Sequence, residues 1–202
     1  MKLKHLAIEI SKLNGFNSPK IELEQYTTPG DLAARWILMT SQLGDLEQGS
    51  KVLDLGCGTG VLGLGALIFG ASSATMVDVD VDAIDIMVEN AKSLGLEEKV
   101  VPMCKKIRDV GNVDADLVLC NPPWGKQKQG ADSNFIESIK SLCLPTYILH
   151  SSSAKHLEAE FLRSSWHVQK LLSSPFDLGA IYPHHTKRRM STDATLWRLT
   201  PP

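Results

Sequence analysis

Asp54-Leu55-Gly56-Cys57-Gly58-Thr59-Gly60 decides the fold, because of what lies on each side of it. Lys51 to Leu55 reads as a short buried strand and Val61 to Phe69 as an apolar helix, so the glycines stand where a strand turns into a helix. Glycines there let the chain turn tightly and let its backbone approach a ligand closely. The spacing is G-x-G-x-G, distinct from the G-x-G-x-x-G fingerprint in which a helix N-terminus receives a pyrophosphate. The acid at the head of the run, Asp54, suits a ligand with a cationic amino group and would repel a phosphate at short range. S-adenosylmethionine carries such a group on its methionine end. Asp54, Gly56, Cys57, Gly58, Thr59 and Gly60 are therefore the first candidate cofactor-binding residues.

Downstream, Ala74 to Val79 reads as a second strand and Asp82 to Leu94 as a helix, with Ile84, Met87, Val88 and Ala91 facing inward. Asp78, 24 positions after Asp54, falls where a carboxylate at a strand end can accept both ribose hydroxyls of a nucleoside. Val100 to Cys104 and Leu117 to Cys120 read as strands three and four, followed by a helix from Ser133 to about Leu142, a fifth strand at Thr146 to Leu149 and a helix from Ser152 to Leu162. Short continuous apolar runs alternating with helices indicate a parallel sheet covered on both faces. Two last strands, near Val168 to Leu172 and Ala194 to Leu199, pair antiparallel at one edge across a polar loop. Before the sheet, Leu3, Leu6, Ile10 and Leu13 predict one helix, and a second runs from Pro29 to about Leu43. The fold class is α/β and Rossmann-like. One domain is expected over 1–202, with N-terminal helices and a cofactor lid in 1–48 and the sheet in 49–202.

Asn121-Pro122-Pro123-Trp124 follows the fourth strand directly, at the carboxyl edge where open parallel sheets bind ligands. Two prolines fix φ and remove two backbone donors, leaving rigid carbonyl acceptors, and Asn121 adds a side-chain acceptor. An amine on an aromatic ring is a poor nucleophile because its lone pair is delocalised. Two acceptors holding its protons localise that pair and aim it at a sulfonium methyl, by orientation and electrostatics. Trp124 offers a face on which an extruded base can stack. The candidate catalytic residues are thus Asn121, Pro122, Pro123 and Trp124.

The formal net charge is -2, so nucleic acid is not bound by overall basicity and any contact comes from local patches. Lys126 and Lys128 follow the proline corner, and Lys187, Arg188 and Arg189 follow His184 and His185; both groups are candidates for phosphate contacts. The longest apolar stretch, around Val61 to Ala71, is glycine-broken and well short of the ~20 residues of a membrane span. The N-terminus lacks a signal-peptide core, so the cytoplasm is expected. Cys57, Cys104, Cys120 and Cys143 occur singly, without metal-ligand spacing, and are expected to be buried free thiols with no metal. Trp36 and Trp166 are expected in the core.

The glycine turn, Asp78 and the proline corner together resemble the class I S-adenosylmethionine-dependent amino-methyltransferases. Leu23-Glu24-Gln25-Tyr26-Thr27-Thr28-Pro29, then Ala33-Ala34-Arg35, is similar to the methyltransferase-like protein five family of ribosomal RNA adenine-N6 methyltransferases and its archaeal relatives. The similarity continues through Gly125, Gly130, Asp132 and Phe135, Tyr147 to Ser152, Phe176-Asp177-Leu178 and the basic stretch from His184 to Arg189. The resemblance implies a seven-stranded, mostly parallel sheet with the last strand antiparallel. It implies cofactor contacts from Gln25, Thr28, Gly56, Thr59, Val61 and Asp78, with Gln25 and Thr28 as a lid over the methionine end. It also implies a small activating partner protein at an exposed strand edge, Val100-Val101-Pro102-Met103. Relatives carry an acid after the third strand for the cofactor adenine; here Lys105 follows Cys104, Asp109 is the next acid, and that role stays unassigned. Trp124 stands where Phe is more usual.

The expected activity is S-adenosylmethionine-dependent methylation of adenine N6 in structured, ribosomal RNA. A protein glutamine-N5 methyltransferase uses the same corner but usually a larger N-terminal helical domain. A DNA adenine enzyme is expected to need a target-recognition domain. A catalytically inactive RNA-binding module of the same fold is the remaining alternative, kept by Lys105 and opposed by intact Asn121, Pro122, Pro123 and Asp78.

Overall fold

The computed structural model describes residues 1–177 and 191–202. Strands β1 (Lys51–Leu55), β2 (Ser73–Asp78), β3 (Val100–Cys104), β4 (Leu117–Cys120), β5 (Thr146–Ser151), β6 (His167–Asp177) and β7 (Ser191–Thr200) form one seven-stranded sheet in the order β3-β2-β1-β4-β5-β7-β6. Strands β1 to β5 pair parallel, while β7 runs antiparallel to both β5 and β6. The order reverses beside β1, so the crevice between the carboxyl ends of β1 and β4 is the topological switch point at which such sheets bind ligands.

Period-two alternation divides the core between the two faces of the sheet. Val52, Leu117, Leu119, Ala74 and Met76 pack with helices α1 (Leu3–Ser11), α2 (Gly30–Gln42), α3 (Val61–Phe69) and α4 (Val81–Ser93). Leu53, Leu55, Val77, Val118 and Cys120 pack with α5 (Ser133–Leu142) and α6 (Lys155–Arg163) on the other face. Every residue of β4 is buried, which is why its four apolar residues carry no alternation. Trp36 and Trp166 are core residues, as expected.

Several boundaries and burials differ from the sequence reading. Helix α6 begins at Lys155, because Ser152 is held to the sheet: its N–H donates to the Asp193 carbonyl at 2.8 Å and its Oγ lies 2.7 Å from Thr195 Oγ1. Strands β6 and β7 extend past their apolar segments, since ladder bonds continue through Ser173, Ser174 and Pro175, where no hydrophobic pattern marks them. All four cysteines are free, but only Cys57 and Cys120 are buried. Cys104 ends the edge strand β3 and Cys143 caps α5 in a left-handed turn, so both are exposed. Among the described residues no helix is long and apolar enough to cross a membrane.

Candidate active site

The turn after β1 is pinned from below: the Val77 carbonyl accepts the N–H groups of both Gly56 and Cys57, each at 2.9 Å. Gly58 adopts φ +52, and a Cβ there would come within 2.9 Å of Phe16 Cζ. Gly60 adopts φ +93, and its missing Cβ would strike Met87 Cγ at 2.7 Å. Left-handed backbone and lack of space thus both demand glycine. They do so for different ends, since Gly58 keeps the turn open toward a cavity and Gly60 lets the start of α3 pack on the core.

That cavity, about 370 Å³, lies over the carboxyl ends of β1, β2 and β4. It is lined by Gln25, Thr28, Asp54, Gly56, Cys57, Gly58, Thr59, Val61, Asp78, Asn121, Pro123 and Lys128, so the structure brings most of the residues singled out in the sequence to one place. Gly60, Pro122, Trp124 and Lys126 do not line it. Lys187, Arg188, Arg189, His184 and His185 lie outside the described residues.

Among the described residues, three buried polar atoms of residues that line this cavity have no partner: Asp54 Oδ1, Thr59 Oγ1 and Asn121 Oδ1. Buried polar groups are normally hydrogen-bonded, so orphans gathered on a cavity wall mark positions for ligand atoms. Asp54 Oδ2 accepts the Gly63 N–H at 2.8 Å. Burial pushes the Asp54 carboxyl up to about 7, against the pull of the Gly63 amide and with a smaller push from Asp78. A cation at Oδ1 would restore ordinary ionisation. Asp78 is also raised by burial, opposed by amide bonds from Asp80 and Gly58 at 3.0 and 2.8 Å. Each oxygen holds one of those bonds, and its second lone pair suits one hydroxyl of a ribose. Asp80 is a helix cap, accepting the Asp82 N–H at the start of α4.

A strap formed by residues 20–28 crosses the cavity mouth and is tied at both sides. At the β2 side, Gln25 Nε2 donates to Asp80 Oδ2 at 2.7 Å, Gln25 Oε1 accepts the Lys20 N–H, and Lys20 Nζ bonds both Asp80 and Asp82. At the β4 side, Asn121 Nδ2 donates to Thr28 Oγ1 at 3.0 Å. Glu24, in a left-handed conformation at φ +51, accepts the backbone N–H groups of Trp124 at 2.7 Å and Gln127 at 2.8 Å. The sequence reading missed Glu24 as a site residue, although it sits inside the stretch quoted for the strap; its partners are about 100 positions away, and nothing local announces them.

Trp124 is 7% exposed, with its ring stacked on His150 at 5.9 Å and 19° and edge-on to Tyr26 at 5.8 Å. Lys126 Nζ stands 5.7 Å from the indole centroid, and burial lowers the Lys126 pKa. Beyond β3, the cavity is bounded by Lys106 and Ile107. Asp109 is exposed, pairs with Arg108 and does not line it.

Residues 31–144 match the family model of the methyltransferase small domain. The chain is 34% identical to the rRNA N(6)-adenosine-methyltransferase METTL5 of Danio rerio, with 100% of both chains covered. It is 33% identical to an uncharacterized protein of Methanocaldococcus jannaschii, covering 98% of this chain and 94% of that one. Among solved structures, a candidate RNA methyltransferase of Pyrococcus horikoshii superposes with a TM-score of 0.87 at 31% identity, covering 100% of this chain and 96% of the other.

Proposed function

The chain belongs to the methyltransferase small domain family and, within it, groups with the full-length rRNA adenosine methyltransferases, and from that premise we propose that it methylates N6 of an adenine in ribosomal RNA, with S-adenosylmethionine as donor. The observation that carries this reading is the orphaned Asn121 Oδ1: a buried acceptor without a partner among the described residues, its own amide already spent on Thr28, on a residue that lines the same cavity as Asp54 and Asp78, which suit a nucleoside with a cationic amine.

The donor fits the residues present. Asp54 would take its amino group, Asp78 its ribose hydroxyls, and Gly56, Gly58 and Thr59 its backbone-facing side, under the strap of Gln25 and Thr28. When bound it supplies an electrophilic methyl on a sulfonium. Asn121 Oδ1 accepts one proton of the adenine amine, and a carbonyl of the proline run accepts the other, so the nitrogen lone pair is directed toward the methyl. No proton is removed before attack, and the surplus proton leaves to water afterwards. The contribution of the residues is orientation and a fixed field. Lys128 at the mouth would meet backbone phosphate.

Strand β3 is the edge of the sheet and Val101 is exposed there. This supports a small activating protein that adds a strand along Val100 to Met103. We place the reaction in the cytoplasm. Labelled donor incubated with ribosomal RNA, with a glutamine-containing protein and with neither tests the reading. Label in RNA supports it, label in protein favours glutamine, and label in nothing with partner supplied favours an inactive RNA-binding module.

A further inference from the structure

Outside the cavity, Asp132, His150 and His156 bring one carboxylate oxygen and two ring nitrogens within 4.8 Å of one another. Asp132 stands at the head of α5 and is buried, His150 lies in β5 and is buried, and His156 lies on α6 and is exposed. Asp132 Oδ2 is 3.1 Å from His150 Nε2 and 2.6 Å from His156 Nε2.

The grouping would suit a cation, but one further bond decides against it. The Ser151 N–H donates to His150 Nδ1 at 2.8 Å. A neutral imidazole carries a single ring proton, and with Nδ1 accepting, that proton sits on Nε2. His150 Nε2 therefore donates to Asp132 and has no lone pair for a metal. Asp132 suits the acceptor role: burial would raise its carboxyl, but the bonds from His150 and His156 outweigh that and hold it down at about 2.

The ring locked in this way lies nearly parallel to the indole of Trp124, with centroids 5.9 Å apart and 19° between planes. Trp124 closes the Asn-Pro-Pro-Trp corner, and its backbone N–H is already held by Glu24. We propose that His150 is a positioning residue for methyl transfer: Asp132 and the Ser151 amide fix its ring, and the fixed ring holds the Trp124 side chain, and with it the corner that presents Asn121. The proposal rests on the corner being the reactive site. His156 also bonds Asp132, but it meets His150 edge-on at 81°, and its bond to Asp132 is separate from the one His150 makes.

The test combines a readout of the indole with methyl transfer to ribosomal RNA. The Trp124 Nε1–H resonance is identified by its loss in Trp124→Phe, and the imidazole nitrogens are read by 15N NMR. Wild-type His150 is expected protonated at Nε2. His150→Gln, which can still donate to Asp132 but lacks the ring, is expected to move the Trp124 resonance and lower kcat about tenfold or more, leaving KM for the donor unchanged. His150→Phe, which restores a ring, recovers part of the rate, and His156→Gln stays within about threefold of wild type. In Trp124→Ala, adding His150→Gln costs nothing more, because the two act through one contact. If His150→Gln does not fold, Asp132→Asn is expected to shift the same resonance in the same direction. An unmoved Trp124 resonance, a proton on Nδ1, multiplicative losses in the double variant, or Zn2+ bound by wild type and lost in His150→Gln would each overturn the proposal. Should wild type transfer to no RNA, the substrate reading fails, while the resonance and tautomer still decide this one.

Discussion

The side-chain amide of Asn121 donates to Thr28 Oγ1 at 3.0 Å, which leaves Asn121 Oδ1 buried and without a partner among the described residues, on a side chain that lines the cavity. A residue of the strap thereby holds the Asn121 amide in place at the site. Thr28→Val removes the acceptor at nearly constant volume and frees the amide to turn. A buried hydrogen bond of about 1 to 2 kcal/mol corresponds to roughly a 5- to 30-fold fall in the rate of transfer. Single-turnover kinetics should show that fall in Thr28→Val and recovery in Thr28→Ser.

Asp54 gives the ligand-free protein a distinctive pH dependence. Its folded carboxyl titrates at about 7 against an ordinary value of 3.8, so between those values the folded state holds more protons than the unfolded state. Stability from this group is therefore greatest in acid and falls as pH rises through 7. Thermal unfolding of wild type and Asp54→Asn across pH 5 to 8 should show the variant gaining on wild type toward alkaline pH. Binding a cationic donor demands the ionised form. Calorimetry near pH 6, in buffers of different ionisation enthalpy, should report proton release on binding that Asp54→Asn abolishes.

Asp45 anchors the loop after α2 to the sheet. It accepts two bonds from Arg198 at 2.6 and 3.0 Å and one from the Tyr147 hydroxyl at 2.8 Å. Burial would raise its carboxyl, but those bonds outweigh it and the pKa is lowered. Asp45→Asn should destabilise the fold by about 1 to 2 kcal/mol near neutral pH in urea unfolding, a figure discounted for partial exposure. The loss should shrink as pH falls through the folded pKa, because protonated Asp45 no longer holds the guanidinium.

What the sequence made legible is what local geometry restricts to a few residue types. The turn at Gly56 to Gly60 needs left-handed backbone, Asp78 must follow a strand that ends beside it, and the proline corner must leave β4 at the switch point; each constraint shows in residue identity and spacing. The antiparallel edge was legible as well, although the polar extension of β6 past Leu172 was not, because a hairpin outside the core has no hydrophobic period. Glu24 and the Asp132–His150 pair were invisible as site residues for another reason: their partners come from elements that only the tertiary fold joins. Trp124 marks the boundary between the two cases. Its place after the corner was readable, but its stacking on His150 behind the cavity wall is set by β5.

The most direct test is to map N6-methyladenosine in ribosomal RNA from cells lacking this protein and from the same cells complemented with wild type or Asn121→Ala. Loss of an orphan acceptor should leave folding nearly intact while lowering transfer by about 10²- to 10³-fold. The expected result is a mark absent without the protein, restored by wild type and not by a folded Asn121→Ala. Ribosomal RNA with unchanged N6-methyladenosine in all strains, or a mark fully restored by Asn121→Ala, would contradict the assignment.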